Sequence, residues 1–156
     1  MATHDWDLLE GLGEDDVNRI LALGSSRTVP QGTVLFGLGD EATDLFLVEK
    51  GAVKLTLPLV VDGESSDALV EERLPGQLLG WSALVPPHQY TLQAFAPVET
   101  HLLALPRITL LGLLSETPTV GYAVFTNLAK VVGQRLQISQ TMWIREMQRV
   151  LASRSG

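Results

Sequence analysis

The stretch Leu74–Ala96, "LPGQLLGWSALVPPHQYTLQAFA", gathers residues whose order could do chemistry. Gly80, Trp81, Ser82 and Ala83 follow an apolar pair and read as a glycine turn entering a very short helical segment. Backbone amides at the start of such a segment point together and suit an anion, with the Ser82 hydroxyl as a further donor. Yet no arginine or lysine lies between Arg73 and Arg107 to neutralise that anion. His88, in the proline-rich "VPPHQ" loop, can gain a proton near neutral pH and meet an anion; the plainer reading is a solvated loop histidine. Gln89 offers a neutral polar group, and Tyr90 and Thr91 are read as opening the next strand. Trp81 has two readings. Its indole is either a stacking lid for a flat or apolar ligand, or a plug that fills the site.

Other chemistries find no residues to perform them. An open metal site needs three or more good ligands, and His4, His88 and His101 fall in no such spacing. There is no cysteine, so thiolate, disulfide and cysteine-nucleophile chemistry are excluded. The glycines of "GLGEDD" and "GLGD" lack the offsets and the following Lys-Ser/Thr of a phosphate loop. The carboxylates cluster in turns and near the N-terminus rather than in a catalytic group. A non-enzyme without cofactor is expected.

The elements that must hold this stretch change character along the 156 residues. "EDDVNRILALG" sets Val17, Ile20 and Leu21 on one helical face, with acids in the first turn and Gly24 as a stop. From Ser25 the period shortens to strands cornered by Pro30, Gly32, Gly37, Gly39 and Gly51, with "DGESSD" as a polar tip. After Pro106 the helical period returns in "RITLLGLLSE", and Pro118 then opens a run unbroken to about Arg154. That run makes a helix of about 54 Å, against about 20–27 Å for a strand of the roll, so one helix end must overhang. Three stretches follow: an N-terminal helical segment at 1–24, a β-roll at 25–106, and the short and long helices at 107–156.

The overhang carries Leu136, Trp143 and Val150 seven residues apart, beside Val132 and Met147. An exposed stripe this apolar is costly, and pairing with a second copy would bury it as a coiled-coil-like seam. The expectation is a homodimer through residues 118–154, with Leu128, Val132, Leu136, Trp143, Met147 and Val150 at the interface. The competing reading folds the helix back onto its own roll.

Net charge is −7, whereas a nucleic-acid-binding domain carries a basic face. No direct DNA contact is expected. The acidic start does not resemble a secretory leader, and no apolar run approaches the length of a membrane span. A cytoplasmic protein with no membrane partner is the resulting expectation.

This order of helix, glycine-cornered roll, short helix and long helix resembles the cyclic-nucleotide-binding domain, the sensor half of catabolite activator-type regulators. The resemblance rests on "QGTVLFGLGDEATDLFLVEKGAVKL", with Gly32, Gly39-Asp40 and Gly51 at turn positions, on "PGQLLGWSAL" at the phosphate-binding cassette, and on "NLAKVVGQRLQ" at the start of a dimer helix. It covers about Leu8 to Arg149. The fold it implies is mainly β with flanking helices: an antiparallel β-roll, or jelly roll, plus an N-terminal helix and a long C-terminal helix. It also implies a pocket between roll and long helix, which makes Gly80, Trp81, Ser82, Ala83, His88, Gln89, Tyr90 and Ser139 the candidate ligand residues.

The family's ribose-binding glutamate is replaced here by Trp81, and its phosphate-binding arginine by His88 or Gln89. On the long helix, where relatives touch the base, stand Ser139 and Gln140. A hydrogen bond to a charged group contributes about 1.5–3 kcal/mol and each 1.4 kcal/mol is tenfold in affinity, so losing both contacts weakens binding about a hundredfold or more. The implied function is a sensory domain signalling through its long helix, its ligand a cyclic nucleotide held in an unusual way or another small anion. The alternative is a ligand-free dimerisation module that kept the fold. Relatives continue into a helix-turn-helix, while this sequence stops at Gly156; unless it is a fragment, output is expected to pass to a partner protein or to another chain.

Overall fold

The computed structural model describes residues 5–155; residues 1–4, His4 among them, and Gly156 lie outside the described residues. A 3-10 turn at Asp7–Leu9 and α1, Glu14–Leu21, precede eight strands: β1 Ser25–Val29, β2 Val34–Phe36, β3 Asp44–Lys50, β4 Val53–Val61, β5 Glu64–Arg73, β6 Leu78–Leu79, β7 Gln93–Phe95 and β8 Thr100–Pro106. A second 3-10 turn, Trp81–Leu84, lies between β6 and β7, and α2, Arg107–Glu116, and α3, Pro118–Arg154, complete the chain. The strands form two four-stranded antiparallel sheets, ordered β1-β8-β3-β6 and β2-β7-β4-β5. This is the expected roll with its flanking helices and long final helix.

Local sequence explains the corners. Gly51 ends β3 with φ +93, and a Cβ there would sit 2.6 Å from Thr100 Oγ1 and 2.7 Å from the Glu99 carbonyl. Only glycine combines that left-handed backbone with so close a neighbour. Strand β3 is buried on both faces, from Leu45 through Val48. Its simple alternation is lost because the Trp81–Leu84 turn packs against it while α2 packs on the neighbouring β8. Strand β4 pairs β7 only at Lys54–Thr56 but pairs β5 as far as Val61. The outer β4–β5 hairpin is thus a two-stranded arm, with Leu59, Val60 and Val61 exposed.

One strand boundary differs from the sequence expectation. Tyr90 and Thr91 do not open β7, which begins at Gln93. Tyr90 turns inward, its hydroxyl donating to the Asp44 carbonyl at 2.6 Å and its ring stacking on Phe36 at 3.6 Å between centroids. Its backbone is also spent elsewhere: the Tyr90 amide donates to the Asp40 carbonyl at 2.9 Å and its carbonyl accepts from the Gly39 amide at 2.8 Å.

The inner half of α3 is anchored. Val120, Val124, Leu128 and Val131 enter the core, and buried Asn127 donates through Nδ2 to the Leu8 and Glu10 carbonyls, each at 2.9 Å. From Leu136 to Ser155 every residue is exposed. The expected overhang is present.

Candidate functional site

The segment at 80–90 lies where β3, the stacked aromatic rings and α3 converge. Gly80 enters the 3-10 turn with φ +75, and a Cβ on it would lie 3.1 Å from the Tyr90 ring and 3.2 Å from the Asp44 carbonyl. The missing side chain lets Tyr90 close against the turn. Burial pushes the Tyr90 hydroxyl up to about 12, with its bond to the Asp44 carbonyl acting the other way. The ring is therefore a neutral, fixed wall at ordinary pH.

Within the turn, the Ala83 amide donates to the Gly80 carbonyl at 3.0 Å. That donor is spent inside the turn, and Ala83 itself is fully buried. His88 has a left-handed backbone, φ +59, and its Nδ1 donates to the Ser82 carbonyl at 3.1 Å. It braces the loop against the turn. Gln89 is exposed and bridges backbone with Glu41.

Phe36, Leu55, Gly80, Trp81, Ser82, Tyr90, Thr91, Leu92 and Arg135 enclose a cavity of about 10 Å³. That is about the space of one water. Of the sequence candidates, Gly80, Trp81, Ser82 and Tyr90 reach this wall. Ala83, His88 and Gln89 flank it, and Ser139 stands exposed on α3 one turn beyond Arg135. The half-buried Trp81 indole packs on the core.

Arg135 is the residue that reading the segment by itself overlooks. Nothing in "GQRLQ" marks it locally, but it continues the roll-facing row Val124, Leu128, Val131 at helical spacing, and that row was the available signal. Its Nε donates to Glu71 Oε2 at 2.8 Å. Glu71 Oε1 in turn accepts from Arg73 Nη1 at 2.7 Å, and Arg73 Nη2 meets Asp7 Oδ2 at 2.8 Å. Arg73 Nε also donates to the Leu78 carbonyl at 2.7 Å, while the Leu78 amide donates to Asp7 Oδ1 at 3.0 Å. Two acids and two bases thus tie the N-terminal turn, the end of β5, β6 and α3 into one neutral group. Burial pulls Arg135 below its ordinary value, Glu71 opposing. Burial likewise pushes the Asp7 carboxyl up, against the Arg73 charge.

The dimer candidates divide at the same point. Leu128 belongs to the chain's own core at 3% exposure, and Val132 is half-buried against it. Leu136, Trp143, Met147 and Val150 are exposed, Trp143 at 65%. α3 therefore packs on its own roll as far as Arg135 and is exposed beyond it.

Comparisons with known proteins agree with this geometry. The cyclic AMP receptor protein of Thermus thermophilus is 33% identical over 130 residues, 83% of this chain, which spans 57% of that protein's length. The crystal structure of the Thermus thermophilus catabolite activator protein superposes with a TM-score of 0.74 at 29% identity, covering 90% of this chain and 63% of that one. The N-terminal domain of a transcriptional regulator from Streptomyces coelicolor gives 0.69 at 27% identity, covering 84% and 90%. The model of the cyclic nucleotide-binding domain matches residues 26–117; with its roll, its cassette-like turn and its long helix, the chain belongs to the cyclic nucleotide-binding domain family.

Proposed function

We propose that the chain is a non-enzymatic regulatory domain that senses a small molecule at the junction of roll and α3 and passes the signal outward through a homodimeric α3. One observation carries this reading. The residue that ends α3's contact with the roll, Arg135, also walls the cassette cavity, and immediately beyond it the helix presents an apolar stripe to solvent. A ligand acting on the cavity therefore acts on the helix that carries the interface, and a difference in its affinity for two helix arrangements is what an effector requires.

The chemistry of the site supports a binder rather than a catalyst. Among the described residues that line the cavity there is no carboxylate or histidine, and the nearby Asp7, Glu71 and Arg73 are committed to one another and to backbone. The ligand is not cyclic AMP held by the family's usual side chains, since Trp81 stands where the ribose contact would be. The setting that suits this reading is the cytoplasm, with output to a partner protein.

The size of the cavity, about 10 Å³, favours a second reading, in which the domain is a ligand-free dimerisation module. Thermal melts with cyclic AMP, cyclic GMP and cyclic di-GMP separate the two, because a ligand that binds the folded form raises its melting temperature. A concentration-dependent rise with one of them supports sensing. No rise with any, together with a cavity still filled in a crystal grown with nucleotide, leaves the module.

A further inference from the structure

Among the described residues, three buried side-chain polar atoms have no protein hydrogen-bond partner: Thr56 Oγ1, Trp81 Nε1 and Arg135 Nη2. The last two belong to residues that wall the same cavity. Both groups are pure donors, since an indole N–H and a guanidinium never accept. Folded proteins pair nearly all such groups, so two unanswered donors beside one cavity mark a place that lacks an acceptor. Ser82 and Thr91 are the only hydroxyl-bearing neighbours on that wall besides Tyr90, whose hydroxyl is committed to the Asp44 carbonyl. The remaining wall is apolar or aromatic: Phe36, Leu55, Leu92 and the Tyr90 ring.

The charge decides what kind of acceptor belongs there. Arg135 shares its one carboxylate partner, Glu71, with Arg73. An acceptor at the free Nη2 is therefore best met by an anionic oxygen, as hydrogen bonds between charged groups are the strong ones. The apolar wall calls for a flat organic body on that anion. A cavity of about 10 Å³ holds only a water, so a larger occupant must displace Trp81. The indole is suited to move. It is half-buried against the core, its N–H is unbonded, and the cavity wall it shares includes exposed Thr91.

We propose that Trp81 is a lid over a site for a small, flat organic anion, whose anionic oxygen accepts from Arg135 Nη2 and Trp81 Nε1 while its body lies on Phe36, Leu55 and Leu92. The proposal rests on the sensory reading above and supplies its ligand class: an aromatic carboxylate or an aromatic phosphate. The lid moves outward to admit the body and turns its N–H onto the bound anion, which supplies the acceptor that this N–H otherwise lacks.

Nuclear magnetic resonance of the ¹⁵N-labelled full chain tests this directly, because the Trp81 indole N–H gives its own signal, identified by its loss in Trp81→Phe. Benzoate and phenyl phosphate are the two anionic arms; inorganic phosphate and benzyl alcohol each carry half of the chemistry. The expected result is a saturable shift of the Trp81 signal with at least one aromatic anion, at least tenfold tighter than with either half-probe. Arg135→Gln should weaken that binding at least tenfold, and Arg135→Lys, which restores the charge, should recover part of it. Failure of both anions to move the signal means that the cavity holds a water only and overturns the proposal. Undiminished binding in Arg135→Gln does so too. Cyclic nucleotide binding that ignores Arg135 overturns this site but leaves the sensory reading intact. An aromatic anion bound at Trp81 without any change in helix pairing supports the site and overturns that reading.

Discussion

Glu71 joins two guanidinium groups, one from β5 and one from α3, through its two oxygens. Removing a single partner from a buried charged group costs about 3 kcal/mol or more, because it leaves uncompensated charge behind. Glu71→Ala should lower stability by about that amount in urea unfolding, and a loss below about 1 kcal/mol would show that solvent screens the group. Asn127 poses a similar case with neutral partners: Asn127→Ala strands the Leu8 and Glu10 carbonyls and should cost about 2 kcal/mol. Tyr90 adds a dependence on pH. Its folded value of about 12 lies above the ordinary 10, so the unfolded chain ionises first. The resulting stabilisation is complete below pH 10 and is lost as pH rises through 12. Stability should therefore fall more steeply between pH 10 and 12 in the parent than in Tyr90→Phe. At this scale the sequence was partly readable. Trp81 was singled out with two readings left open, a lid or a plug, whereas Arg135 and Glu71, 64 residues apart, meet only through the packing of α3 on the roll. The role of His88 as a brace depends on a loop geometry that its neighbours in sequence do not reveal.

Among the elements, α3 was the most legible, since Pro118 and the unbroken helical period marked both of its ends; it runs from Pro118 to Arg154. The short strand after the proline loop was the least legible. Tyr90 has a strand-like sequence, but its backbone bonds Gly39 and Asp40 while its side chain meets the Phe36 ring and the Asp44 carbonyl. The apolar stripe of α3 leads to a prediction for the element itself. Placing charge at the middle of a helix seam opposes pairing, because each copy would bury an unpaired carboxylate. Sedimentation of Trp143→Glu should give half the mass of the parent. Equal masses would mean that Trp143 lies outside any interface, and the helix pairing proposed above would fall with it.

For the whole molecule, the proposed pairing would couple folding to concentration. If the overhang is covered only in the dimer, the parent's melting temperature should rise with protein concentration, and that of Trp143→Glu should not. A parent melt independent of concentration would argue that the stripe stays bare. The roll itself was readable at this scale because glycine corners and short apolar runs leave few other folds open. The projecting β4–β5 arm was not, since its residues alternate in the same way whether or not a third strand lies beside them.

The place where α3 leaves the roll also sets a mechanical gain. From Arg135 to Arg154 the helix runs about 28 Å without support. A rocking of roughly 10° about Arg135 would sweep the far tip through about 5 Å, while the atoms lining the cavity shift by fractions of an ångström. On the sensory reading proposed above, a pocket barely wide enough for one solvent molecule would in this way govern an outcome at the opposite pole of the chain, the helix serving as a pointer on a short pivot.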